Sequence, residues 1–290
     1  MVYIDAFYSL YDDELFRICS WIILALSALC WILSVINDNY SQVDRLWSIA
    51  PVLYAWTIAG YTIYKLEVYN TRLFISAILL TLWGIRLTYN FFRKGGYLPG
   101  GEDYRWPIVR HYVHPILFQI FNVFFIAFYQ NILLFLMASP AYVIYKNREN
   151  SELNILDFLA ALIFVICLVG ETTADEQQWQ FQNLKRKLIK ERKETLGFLT
   201  YGLFKYSRHP NYFFEMTLWW AFYLFSVASD SELNWFNCSI SGAVLLTLLF
   251  QGSTWLTELI SLRKYPEYSK YQQNVSRLIP WFSREWTKTD

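Results

Sequence analysis

Apolar residues in this chain gather into seven long runs: Leu15–Ile36, Leu46–Tyr64, Leu73–Phe92, Ile116–Tyr145, Leu153–Gly170, Phe213–Val227 and Ile240–Leu256. A helix needs about 17–25 such residues to cross a bilayer. The fourth run contains Gln130, Asn131 and Pro140 and reads as one tilted, kinked helix or as a broken pair. The sixth is short and extends by several residues if it spans. The first is flanked by Asp12, Asp13 and Glu14 instead of basic residues and carries no evident cleavage pattern, so it does not read as a signal peptide. The pattern predicts an all-α, polytopic integral membrane protein of about seven transmembrane helices. No composition shift, linker or internal repeat divides it, and it is expected to form a single transmembrane domain over residues 1–290.

Composition agrees. Hydrophobic residues make up 55% and aromatics 20% of the chain, against a usual apolar share of about 45–50%. A net charge of +1 argues against a nucleic-acid partner. The loop charges fix an orientation. The tail before Leu15 and the loop carrying Asp230 and Glu232 hold no Lys or Arg, and Lys65, Arg72, Lys146 and Arg148 are thinly spread over the same side. The opposite side collects Arg45, Arg93, Lys94, Arg105, Arg110, the stretch around Lys185–Lys193, Lys205 and Arg208. By the positive-inside rule that side is cytoplasm or mitochondrial matrix, with the endoplasmic reticulum or the mitochondrial inner membrane as the expected location.

Cys19, Cys30, Cys167 and Cys238 have no metal-ligand spacing and read as small buried hydrophobes. His111 and His114 are three apart, but Pro115 disfavours a helix at His114 and no carboxylate or thiol partner is near in sequence, so they read as an interfacial pair. No glycine-rich fingerprint follows a strand pattern, which excludes a soluble Rossmann site.

The chemistry concentrates in residues 170–282. Ser207–Glu215 reads SRHPNYFFE. A helix beginning at Pro210 directs free N–H groups toward Arg208 and His209, an arrangement suited to an anion. Asn211 and Glu215 share one face of that helix. A basic residue ahead of an ordinary helix start accounts for the segment equally well. Glu171, Asp175, Gln178 and Gln182 form a polar stripe, either the solvated exit of a helix or the wall of a polar site. Glu258 lies within the last run, where a carboxylate should face the bundle interior or a water-filled cavity. Arg86 lies within the third run and should pair inward, with Asp44 as the candidate partner. Asp175, Gln178, Arg208, Asn211, Glu215 and Glu258 are expected to converge on one polar cavity open to the positive face.

SQVDRLWS (Ser41–Ser48), LWGIRLTYNFFRKGG (Leu82–Gly96), GEDYRW with Arg110, GETTADEQQWQF (Gly170–Phe181), SRHPNYFFE and YPEYSKYQQNVSRLIPWF (Tyr265–Phe282) occur in this order. Together the series resembles the steroid 5-alpha-reductase-like membrane proteins, in particular the DUF1295 branch, over roughly Ser41 to Phe282. The resemblance implies NADPH as cofactor and hydride transfer to a carbon–carbon double bond of a sterol or other membrane lipid. It implies that Asp175, Gln178, Arg208, Asn211, Tyr212, Glu215, Glu258 and Arg263 bind the cofactor. The Tyr and Glu that serve the family's steroid reductases have no motif match here, and Asp44 and Tyr89 stand in as catalytic candidates.

Two departures matter. Phe214 stands where the family usually has Gly, and a benzyl group there either points to lipid or fills volume a ligand needs. The basic stretch Gln182–Thr195 replaces a short loop and suits anionic headgroups or an acidic subunit. Two other function classes therefore stand beside the reductase: a degenerate member serving as a structural subunit of a membrane complex, and a methyltransferase using S-adenosylmethionine.

Overall fold

The computed structural model describes residues 12–283 and, among them, contains helices and no strand. In chain order the α-helices are α1 (Glu14–Asn37), α2 (Gln42–Leu46), α3 (Ala50–Tyr64), α4 (Thr71–Arg93), α5 (Arg105–Tyr112), α6 (Pro115–Phe121), α7 (Gln130–Lys146), α8 (Ile155–Lys190), α9 (Pro210–Ala228), α10 (Ile240–Lys264) and α11 (Tyr268–Asn274). Five continuous helices are long and apolar enough to cross a membrane: α1, α4, Pro115–Lys146, α8 and α10. That is the pattern of an integral membrane protein. The second apolar run is shorter as a helix than as a run, because Leu46 closes α2 and Pro51 opens a new helix, leaving 15 residues in α3. The 19-residue α9 is interrupted in apolarity by Asn211, Glu215 and its Trp and Tyr residues.

The long fourth run is one continuous helix, neither broken nor paired. Its middle, Asn122–Tyr129, is wound as a π-helix between α6 and α7. Phe121, Phe125 and Tyr129 stack along it with centroids 4.7 and 5.2 Å apart. His114 caps α6 through Nδ1, which accepts from the Ile116 N–H at 3.4 Å.

The chain divides into two compact units, Met1–Ala161 with Phe222–Val244, and Leu162–Ala221 with Leu245–Asp290. In the first unit α3 packs on α4 and α7, and α1 on the π segment. Close backbone approach is built in at Gly84, where a Cβ would lie 2.7 Å from the Ser48 carbonyl oxygen. Several buried polar groups in this unit bond to one another. Asn122 donates to Ser34 Oγ at 2.9 Å. Arg72, with no exposed surface, donates to both carboxylate oxygens of Asp157 at 2.7 and 2.9 Å and to the carbonyls of Asn150 and Glu152. At the start of α1, Asp13 caps the N–H groups of Leu15 and Phe16 and accepts from Lys146 Nζ at 3.1 Å.

In the second unit the buried face of α8 continues past its apolar half. Ala174 and Phe181 cluster with Leu199 and Phe204 of the following loop, and Gln177 Oε1 accepts from the Leu203 N–H at 2.9 Å. Gly202 beside it has φ +63, and a side chain there would run into Gln177. Tyr268, Tyr271 and Val275 form a second cluster, bordered by Phe198, Leu262 and Tyr265.

Candidate functional site

The second unit brings three polar side chains together around one carboxylate. Glu258, on α10 and 8% exposed at its side chain, accepts from Arg208 Nε at 2.7 Å through Oε1 and from Arg208 Nη2 at 3.0 Å through Oε2. This is the two-pronged guanidinium–carboxylate geometry. Gln272 Nε2 adds a bond to Oε2 at 2.7 Å, and His209 Nε2 lies 3.0 Å from Oε1. The His209 ring stacks on Tyr212 at 5.7 Å, and Tyr212 meets Phe250 at 4.6 Å.

Arg208 sits two residues before α9, so its side chain can reach sideways to α10 while its backbone meets the C-terminal segment. Its N–H donates to the Ser276 carbonyl at 2.8 Å, and the His209 N–H to that of Arg277 at 3.1 Å. Ser207 Oγ donates to the Leu278 carbonyl at 2.7 Å, and the Trp281 N–H to that of Tyr206 at 2.9 Å. Arg208 Nη1 donates to the carbonyls of Gln272 and Val275. The arginine therefore ties three stretches together: the α9 entry, α10 and the segment after α11.

Of the six residues expected to converge on one polar cavity, Arg208 and Glu258 are bonded directly to each other. Glu215 is buried and accepts from Trp219 Nε1 at 2.9 Å within α9. Asp175 is buried on α8, while Gln178, Asn211 and Tyr212 are half-buried. Arg263 is exposed in the last turn of α10. His209 and Gln272 are members of the network that motif reading did not assign. His209 adjoins Arg208 in the segment that drew attention, but Gln272 carried no signal of its own.

A nicotinamide dinucleotide needs partners for its phosphates and its polar rings. The Arg208 guanidinium, expected to neutralise phosphate, is already neutralised by Glu258 and bonded to two carbonyls, so it fits that role only if this network opens. Gln178, Asn211 and Tyr212, half-buried and polar, fit a dinucleotide better. Phe214 does not simply point to lipid. A Cβ built on Gly170 would lie 2.6 Å from two atoms of the Phe214 ring, so the ring rests on the bare backbone of α8, one residue from Glu171.

In the first unit, Asp44 Oδ2 accepts from Trp106 Nε1 at 3.3 Å. Burial, then the nearby Asp103 charge, push its carboxyl above the usual range, against the Arg105 charge. Trp106 thus takes a place at Asp44 that the sequence had assigned to Arg86. Tyr89 is 62% exposed and lies under the Arg93 guanidinium, 5.6 Å from the ring centroid. Among the described residues no cluster of three His, Cys, Asp or Glu could hold a metal.

Comparison with known proteins adds the family. No solved structure matches the chain. The uncharacterized protein C594.04c of Schizosaccharomyces pombe is 40% identical over 262 residues, which cover 86% of this chain and 75% of the relative. The model of the family described as "Protein of unknown function (DUF1295)" matches residues 30–275, a span that takes in the Arg208–Glu258 pair, His209 and Gln272, and the chain belongs to that family.

Proposed function

We propose that this protein is an NADPH-dependent reductase of a carbon–carbon double bond in a sterol or other membrane lipid, related to the steroid 5-alpha-reductase-like proteins. The observation that carries the reading is the buried network of Glu258, Arg208, His209 and Gln272. Ionisable groups within or beside a bilayer are costly, and they are retained where a polar ligand or an ion pathway needs them. In this reading Gln178, Asn211 and Tyr212 bind polar groups of the cofactor, with Asp175 and Glu215 behind them. NADPH supplies the hydride. Asp44, whose raised pKa favours the protonated form, is the candidate proton donor or carbonyl polariser, with Tyr89 the weaker one because of its exposure. The proposed topology has seven crossings, α3 and α9 added to the five longer helices, with the basic loops facing cytoplasm or matrix in the endoplasmic reticulum or mitochondrial inner membrane.

A second reading, a structural subunit of a membrane complex, is favoured by one observation: Arg208 is already committed to intramolecular partners. Calorimetric titration of the full chain in nanodiscs with NADPH and with S-adenosylmethionine separates the alternatives. The reductase reading requires NADPH binding that Gln178→Leu and Asn211→Leu weaken. Binding of neither ligand sinks it in favour of the subunit. Binding of S-adenosylmethionine alone points to a methyltransferase.

A further inference from the structure

Two ammonium groups in the second unit converge on one tyrosine. Lys185, from the basic end of α8, donates through Nζ to Tyr265 Oη at 2.8 Å and to the Gly197 carbonyl at 2.6 Å. Its Nζ lies 4.8 Å from the Tyr265 ring centroid. Lys264, the last residue of α10, brings its own Nζ to 5.5 Å from the same centroid. The ring is held from its remaining side by Gly197, where any Cβ would meet it at 2.1 Å, and by Phe198 at 6.2 Å. Among the described residues neither lysine has a carboxylate partner.

Like charges gathered on one ring repel, and each would be better placed in water or beside an anion. What the two share here is a phenol oxygen. Burial alone would raise the Tyr265 phenol, and Lys185 and then Lys264 outweigh it and bring it below its ordinary range. The phenol therefore serves as a partial counter-ion. Lys185 Nζ, which makes two of these bonds, retains a third N–H. The Tyr265 hydroxyl and the two ammonium groups are thus gathered in one cluster. Tyr265 and Lys185 are half-buried and Lys264 is exposed, so the region is open to a ligand.

We propose that Lys185, Lys264 and Tyr265 form a phosphate-monoester site at the membrane surface, separate from the Glu258 network. The ligand chemistry is a dianionic phosphate, supplied either by a soluble phosphate compound or by a lipid headgroup such as phosphatidic acid. The site does not depend on the reductase reading: it requires only a doubly charged oxyanion with acceptors for two ammonium groups and a hydroxyl.

The test uses the full chain in nanodiscs and reads ionisation of Tyr265 by near-ultraviolet difference absorbance, assigned by subtraction of Tyr265→Phe. A bound phosphate draws the ammonium groups from the phenol oxygen, so saturating ligand should move the Tyr265 titration to higher pH. In phosphatidylcholine discs, inorganic phosphate producing that shift identifies a soluble source. The shift appearing only when phosphatidic acid is included in the discs identifies a lipid source. In either arm Lys185→Met and Lys264→Met should each weaken binding about tenfold, the loss of one partly exposed charge-assisted hydrogen bond. Phosphorus NMR line broadening on the same samples reads binding without relying on the tyrosine. No shift and no broadening in either arm overturns the proposal, as does broadening that both lysine variants leave unchanged.

Discussion

Replacing Gly170 by Ala should reverse its effect on stability when Phe214 is also replaced. The added methyl would approach the Phe214 ring to 2.6 Å, where ordinary contact begins at 3.4 Å, so the ring must retreat by about 0.8 Å. Overpacking of this kind costs about 1–3 kcal/mol. Against it stands the gain of Ala over Gly in a helix interior, about 1 kcal/mol. In the parent the two leave a net loss of about 0–2 kcal/mol. In a Phe214→Ala background the obstruction is gone and only the helical gain remains, so Gly170→Ala should stabilise by about 1 kcal/mol. The coupling between the sites is then about 1–3 kcal/mol, within the range for residues in contact. Thermal unfolding of the four proteins in one detergent, followed by circular dichroism, closes the cycle. If Gly170→Ala has the same effect in both backgrounds, the ring does not rest on α8 and the reasoning fails.

Arg72→Met should cost about 3–5 kcal/mol in denaturant unfolding by leaving the Asp157 carboxylate buried alone, and adding Asp157→Leu should recover most of it. Glu258→Gln should loosen the C-terminal segment that Arg208 holds, seen as faster limited proteolysis after Tyr265, whereas Arg263→Gln at the exposed position should leave it unchanged. Phe214→Ala should increase NADPH affinity if the ring occupies ligand volume; equal affinity in both proteins would separate the ring from the cofactor site. Burial alone would raise the Asp13 carboxyl, but the Lys146 ammonium and the α1 N–H groups outweigh it and lower its pKa. Its contribution to stability is therefore present above the unfolded carboxylate pKa of about 3.9 and disappears as pH falls through the lower folded value. Asp13→Asn should be less stable than the parent at neutral pH, with the gap narrowing below about pH 4 and closing as pH falls through the lower folded value.

How much of this was legible in the sequence depends on the distance over which each feature is set. The long apolar runs reappear as helices because length and apolarity are local properties. The second run fails as a single helix because Pro51 restarts the turn, a signal that was present but outweighed by continuous apolarity. The inward face of α4, through Leu73, Ala77, Leu80, Trp83 and Gly84, is readable from spacing alone, and that phase turns Tyr89 outward. Glu258 was legible as a carboxylate that must find a partner, and the Arg208 motif supplied one. The consumption of the Arg208 donors by the Gln272 and Val275 carbonyls was not legible, because it depends on the chain folding back after α11. Nor was the placement of Phe214 on Gly170, since each is unremarkable without the other. Two compact units within one uninterrupted composition likewise leave no trace in a one-dimensional pattern.

The π segment Asn122–Tyr129 bears on which length variants this family can accept. A π turn holds more residues than an α turn, so the segment stores surplus chain inside a continuous helix. Deleting one residue there need not break the helix, because the remainder can rewind as α. The two halves would then keep nearly their present rotation, because the residue lost is the surplus that the wider turns absorb, whereas the same deletion within an α stretch turns one half against the other by about 100°. Asn122, at the start of the segment, would stay beside Ser34, and only the stack of Phe121, Phe125 and Tyr129 would be rearranged. Spare length in this segment is therefore a reserve, and one residue should be lost here more readily than from the α-helical stretches on either side.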